Sequence, residues 1–125
     1  MTLRFAERPD EAIPVCKKAI RLEPYAPAAY YYNLGMAYLS AGQCDKAISA
    51  SEEALRRGSN NLFAHVNATT VYGICGREED ARATAAEVLR ISPKFSLEKF
   101  AKNITIKNQT DKELVVDALR NAGLK

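Results

Sequence analysis

The sequence predicts an all-α chain of stacked helical hairpins, about six to seven helices in all, and three observations carry that prediction. Residues recur after 34 positions, pairing Asn33 with Asn67, Tyr38 with Tyr72, Gly42 with Gly76, Ala47 with Ala81, Glu53 with Glu87, Leu55 with Leu89 and Arg56 with Arg90. A recurrence of that length marks repeated helical hairpins. Within each copy, apolar residues are spaced at three and four, the period of a single helix face. Glycine or proline punctuates the candidate helices, at Pro24, Gly42, Gly58, Gly76, Pro93 and Gly123.

In chain order, residues 10–22 read as a helix with Ala12, Ile13, Cys16, Ala19 and Ile20 on one face. Asp10 stands at the N-cap, which puts Pro14 in the first turn, where its missing N–H costs little. Pro24 ends this helix and Pro27 opens the next with a preset backbone angle. Residues 28–41 repeat the pattern through Tyr31, Leu34, Gly35 and Tyr38, and Gly42 supplies a left-handed stop. Residues 44–57 return, ended by Gly58; the pair then recurs as 62–75, closed by Gly76, and 78–91, closed before Pro93. Loops of two to four residues force these helices to be antiparallel neighbours. Beyond Pro93 come the segment Phe95–Phe100, a loop, and a helix over 110–121, where Thr110 and Glu113 make a capping box ahead of Leu114, Val115, Ala118 and Leu119. Small residues fall where helices cross closely, at Gly35, Ala47, Ala54 and Ala81, with Tyr31, Tyr38 and Tyr72 filling the space beside them.

Composition narrows function by exclusion. At 125 residues and 47% hydrophobic, the chain has room for one domain with a real core. The formal charge of +3 is spread among interleaved acids and bases, which argues against a nucleic-acid-binding stripe. Residues 1–10 lack the apolar stretch of a signal peptide, and no run approaches the length of a membrane span. Cys16, Cys44 and Cys75 are odd in number and widely spaced, with no C-x-x-C pair. Neither a zinc site nor a disulfide framework is therefore expected, and a reducing cytoplasmic location is inferred. The single histidine, His65, takes a packing position with no Cys, Asp or Glu at ligand spacing on its helix. No glycine-rich phosphate loop and no nucleophile–base pattern is present, and Glu78, Glu79 and Asp80 suit the positive end of a helix dipole. No enzyme activity, metal or cofactor is expected.

The residues of 28–61 resemble a tetratricopeptide repeat, whose pattern sets an aromatic, a Leu-Gly pair, a tyrosine, two alanines and a proline at fixed places. Tyr31, Leu34, Gly35, Tyr38, Ala47 and Ala54 fill that pattern, while Ser51 and Ser59 stand where an aromatic and a proline are usual. A second repeat over 62–95 keeps Tyr72, Ala81 and Pro93 but has His65, Ala68 and Thr69 in place of the aromatic and Leu-Gly. Residues 1–26 resemble the end of an earlier repeat, through Ala12, Ala19 and Pro24, and 96–125 read as capping helices that cover the last apolar face. The ending, with Phe-Ser-x-Glu-x-Phe at 95–100 and Leu-Arg-x-Ala-Gly-Leu at 119–124, is similar to the tail that follows such repeats in bacterial class III nucleotide cyclase or transcription-regulator proteins. It lends no cyclase activity, since none of the catalytic domain is present.

The resemblance implies a right-handed superhelix whose concave groove binds a peptide or partner helix. Transferred residue by residue, the groove comprises Ala29, Tyr32, Asn33, Met36, Leu39 and Ser40 from one hairpin and Phe63, Val66, Asn67, Thr70, Gly73 and Ile74 from the next. Asn33 and Asn67 suit amide bonding to a peptide backbone, or alternatively tie neighbouring hairpins together. With no Lys or Arg on these positions, an apolar or amphipathic ligand is favoured over a carboxylate clamp, and Leu97 and Phe100 offer a way for the chain to fill the groove itself. A cut front edge, with Leu3, Phe5, Ile13, Cys16 and Ile20, is a candidate surface for homo-oligomer formation. The contrasting reading is a non-catalytic regulatory or scaffold fragment of a cyclase- or regulator-type protein.

Overall fold

The computed structural model describes residues 9–23, 25–104 and 109–125. Its seven helices are α1 (Pro9–Leu22), α2 (Ala28–Ser40), α3 (Cys44–Arg57), α4 (Leu62–Ile74), α5 (Glu78–Ile91), α6 (Leu97–Asn103) and α7 (Gln109–Asn121). Among the described residues there is no strand. The inner helices α2 and α4 are apolar around most of their circumference, as befits elements packed on several sides, while α1, α3 and α5 carry an apolar stripe on an otherwise polar surface.

The period seen in the residues returns in the backbone. Gly42 and Gly76 both take positive φ, 76° and 84°, a region open to glycine without steric cost. Just after them the Gln43 N–H donates to the Tyr38 carbonyl at 2.9 Å and the Arg77 N–H to the Tyr72 carbonyl at 2.8 Å. Each turn thereby reverses the chain and lays the second helix of a hairpin along the first. The crossings are close where small residues permit it: Ala47 and Ala54 are fully buried, and a Cβ placed on Gly35 would lie 2.8 Å from Ser51 Oγ and 3.3 Å from the Ala47 carbonyl oxygen.

Hairpin α2–α3 and the following helix α4 enclose one core cluster built on Leu34, Tyr38, Leu39, Ala47, Ala50 and Val71. A second cluster joins α4 and α5 to the C-terminal helices through Val66, Tyr72, Val88, Leu97, Val115 and Leu119. Helix α7 packs along α4 and approaches closely at Gly73, where an added Cβ would meet the Ala118 Cβ at 3.1 Å. Leu97 anchors α6, and its N–H donates to the Lys125 carbonyl at 2.9 Å, so the chain closes on itself after Gly123.

Four expectations are revised. Ile13, Cys16 and Ile20 do not form a bare stripe: they are half-buried against the cluster that holds Leu34 and Tyr38, because α1 packs on α2 as the second helix of a preceding hairpin would. The exposed large hydrophobic side chains of this end are instead Val15, 66% exposed, Leu22, 71% exposed, and Tyr25, 92% exposed. Leu3 and Phe5 lie outside the described residues, as does Pro24. Helix α1 includes Asp10 rather than starting after it, and α7 likewise starts at Gln109, which puts Thr110 inside the helix; Gln109 Nε2 donates to Glu113 Oε1 at 3.3 Å where a capping box was expected.

The fourth revision concerns cysteine. Cys44 and Cys75 form a disulfide, with their Cα atoms 5.8 Å apart. Their separation of 31 residues looked uninformative, yet in a chain that stacks hairpins every 34 residues it brings the start of α3 beside the end of α4. The cysteine spacing therefore carries no argument for a reducing compartment. Cys16 is a free thiol, half-buried, and burial pushes its pKa up.

Candidate functional site

The candidate site is the face shared by α2 and α4, and the structure divides it. On α2, Ala29, Tyr32 and Met36 are half-buried and Asn33 is exposed, and at the start of α4 Phe63 leaves 55% of its surface in solvent. Tyr32 is seated against a small cluster of Ala28, Ala54 and Ala64, so a ring that touches solvent on one side is braced on the other. Met36 rests on the Leu34–Tyr38–Leu39 cluster. This half presents apolar surface with one exposed amide in its midst.

The other half is closed. Leu39 and Val66 are each 1% exposed, and Ser40 and Thr70 are buried with their hydroxyls donating to backbone carbonyls of their own helices, Met36 O and Val66 O, both at 3.0 Å. Helix α7 accounts for much of this. Val115 and Leu119 share the cluster of Val66, Leu114 packs against the cluster of Leu39, and Ala118 faces Gly73 beside half-buried Ile74. Helix α7 covers this part of the face by packing along α4, while Leu97 of α6 is buried in the same cluster as Val66 and Phe100 packs against that cluster.

Asn67 is half-buried, and its Nδ2 donates to the Phe63 carbonyl one turn back at 2.8 Å. That bond spends one of the amide's donors on its own helix and holds the carbonyl oxygen in a set direction. Neither a tie between hairpins nor a free pair of donors describes it.

The single histidine lies apart from this face. His65 is 7% exposed; its Nε2–H donates to the Ser59 carbonyl at 2.8 Å, and Nδ1 is buried with no partner. Nearby polar groups also serve packing. The Thr69 and Thr84 hydroxyls lie 2.7 Å apart across the α4–α5 crossing, and Tyr72 Oη donates to Glu52 Oε2 at 3.0 Å across α4–α3. Burial, then the bond to Glu52, holds the Tyr72 hydroxyl well above the usual tyrosine range. Among the described residues no group of three or more His, Cys, Asp or Glu is placed to hold a metal ion.

Hairpin α2–α3, its 34-residue echo and the glycine turns together define the repeat. Residues 28–60 match the family model of the tetratricopeptide repeat. The match covers α2, α3 and their turns, the part that keeps Tyr31, Leu34, Gly35, Tyr38, Ala47 and Ala54. The second hairpin, α4–α5, repeats the glycine turn of the first at Gly76, and the all-α fold is consistent with a helical-hairpin fold of tetratricopeptide type. Repeats of this kind stack into extended concave surfaces and generally mediate protein–protein interaction. No curated protein matches the chain. Among the described residues no helix is long and apolar enough to cross a membrane.

Proposed function

We propose that this chain is a non-catalytic interaction module that binds a protein partner by laying a short peptide or helix on the open half of the α2–α4 face. The observation that carries the reading is Phe63, a large apolar ring left more than half exposed at the start of α4, together with half-buried Tyr32 and Met36 and exposed Asn33 on α2. Aromatic anchors set on rigid helices lose little side-chain entropy on binding, and a neighbouring amide fixes the register of a peptide backbone. The absence of Lys and Arg from the transferred groove positions favours an apolar or amphipathic segment.

Peptides selected from a random display library on the whole chain test this. Phe63→Ala and Asn33→Ala, both at exposed positions, should weaken the selected peptides at least tenfold with unchanged melting temperature. Selected peptides that ignore both substitutions would remove the face from consideration.

The closure of the other half by α7 favours a second reading, in which the repeats act as a scaffold piece of a regulator- or cyclase-type protein and bind no free peptide. A library that yields no peptide under conditions where the chain is folded supports that reading over the first.

A further inference from the structure

The C-terminal helices line a cleft of about 640 Å³, open to solvent and away from the α2–α4 face, within the size range of small-molecule sites. Its walls are aliphatic: Leu97 and Ala101, one turn apart on α6, face Val116 of α7 and Leu124 beyond it. Leu97 and Leu124 are buried and form the floor, and Ala101 and Val116 are half-buried. Among the described residues, no aromatic ring and no neutral hydrogen-bonding side chain lines the space.

The remaining lining residues are charged, and the charge is one-sided. Among the described residues, Lys102, Lys112, Arg120 and Lys125 line the space against one side-chain carboxylate, Glu98. Lys102 lies 3.5 Å from Glu98, and Arg120 pairs with Asp117 at 3.0 Å; both are exposed contacts of the kind that solvent screens. Lys112 is half-buried on the α7 wall, and among the described residues it is bonded to no carboxylate.

An aliphatic floor under a cationic mouth is complementary to a molecule with an apolar chain and one anionic head. The α6 wall of seven residues is only about 10 Å long, short for the apolar face of a docking helix, which needs anchors over several turns. We propose that the α6–α7 cleft binds a single-chain aliphatic carboxylate, its tail against Leu97, Ala101, Val116 and Leu124 and its head at Lys112 and Arg120. The cations draw the head group, and the apolar walls reward chain length.

Calorimetric titration of the whole chain with octanoate, decanoate and dodecanoate, each below its micellar concentration, tests the proposal. One carboxylate should bind per chain, tightening about two- to fourfold per added methylene. Dodecyltrimethylammonium, with the same tail and opposite charge, should bind at least tenfold more weakly than dodecanoate. Lys112→Glu should weaken dodecanoate about tenfold with circular dichroism unchanged, and Val116→Gln should flatten the chain-length series. Equal binding of the cationic amphiphile, uptake of many molecules per chain, indifference to Lys112→Glu, or no carboxylate binding alongside binding of an acidic amphipathic peptide would each overturn it.

Discussion

At Gly35 two departures from an ordinary helix meet. The glycine allows α3 to approach α2, and the residue it faces is Ser51, whose hydroxyl is buried without a partner. Alanine at position 35 gains about 1 kcal/mol of helix propensity, but its Cβ would press on the Ala47 carbonyl and on Ser51 Oγ, an overpacking cost of about 1–3 kcal/mol. Gly35→Ala should therefore lower stability, and Ser51→Ala should leave it equal or raise it by about 1 kcal/mol, because an unsatisfied buried group is removed. Urea denaturation of both single variants and the double should show coupling above about 0.5 kcal/mol, the double losing less than the sum. Tyr72 offers a test by pH. Its folded pKa is raised, so its contribution is fully present below the ordinary tyrosine range and is lost as pH rises through the folded value. Tyr72→Phe should cost about 1 kcal/mol at neutral pH and should flatten the alkaline fall in melting temperature seen in the parent. Two irregularities visible in the residues have a polar counterpart in the structure. Ser51 stands where an aromatic is usual, and Thr69, in place of the glycine of Leu-Gly, meets Thr84 across the same kind of crossing. Substitution of the pattern was legible; which polar groups compensate for it was not.

Helix by helix, the α4–α7 contact and the Cys44–Cys75 bond decide how the hairpins are held. Ala118→Leu would drive a large side chain into the space beside Gly73, where even a methyl group is tight. A loss of about 1–3 kcal/mol is expected. Faster hydrogen exchange in 109–121, with α2 and α3 unchanged, is the signature that α7 detaches as a unit. The disulfide joins the start of α3 to the end of α4, closing a loop of 31 residues' separation, so reduction should lower unfolding free energy by about 2–4 kcal/mol. Melting curves with and without a reductant, compared with the Cys44→Ser, Cys75→Ser double variant, check this; identical curves would mean the bond contributes nothing. Helix extents were legible to within a residue for α2 to α5 because periodicity and glycine stops agree there. The disulfide escaped notice because cysteines that share no local motif become neighbours only after the hairpins stack.

For the whole molecule, the helices that flank the two hairpins decide which apolar faces are covered. At the far end α6 and α7 cover one, with Leu97, Val115 and Leu119 buried on the last hairpin. At the front, α1 turns its stripe inward onto α2 and leaves Val15 and Leu22 in solvent. Association through this end should be weak: light scattering from 1 to about 100 µM should give the monomer mass, and a concentration-dependent dimer abolished by Val15→Glu, Leu22→Glu would show that the outer face of α1 is an interface.

The residues alone determined the repeat. A 34-position recurrence, helical spacing and glycine stops act through neighbours close in sequence, so they specify hairpins without knowledge of the rest of the chain. The resemblance to the tetratricopeptide repeat, carried over position by position, nominated both rows of groove residues. Only the tertiary structure decided which of those residues stay accessible. Leu39, Val66 and Thr70 are taken out of reach and Phe63 is left open, with α7, more than thirty residues further on, packed along α4. Burial depends on what arrives from elsewhere in the chain, and the pairing of Cys44 with Cys75 belongs to the same category of contact.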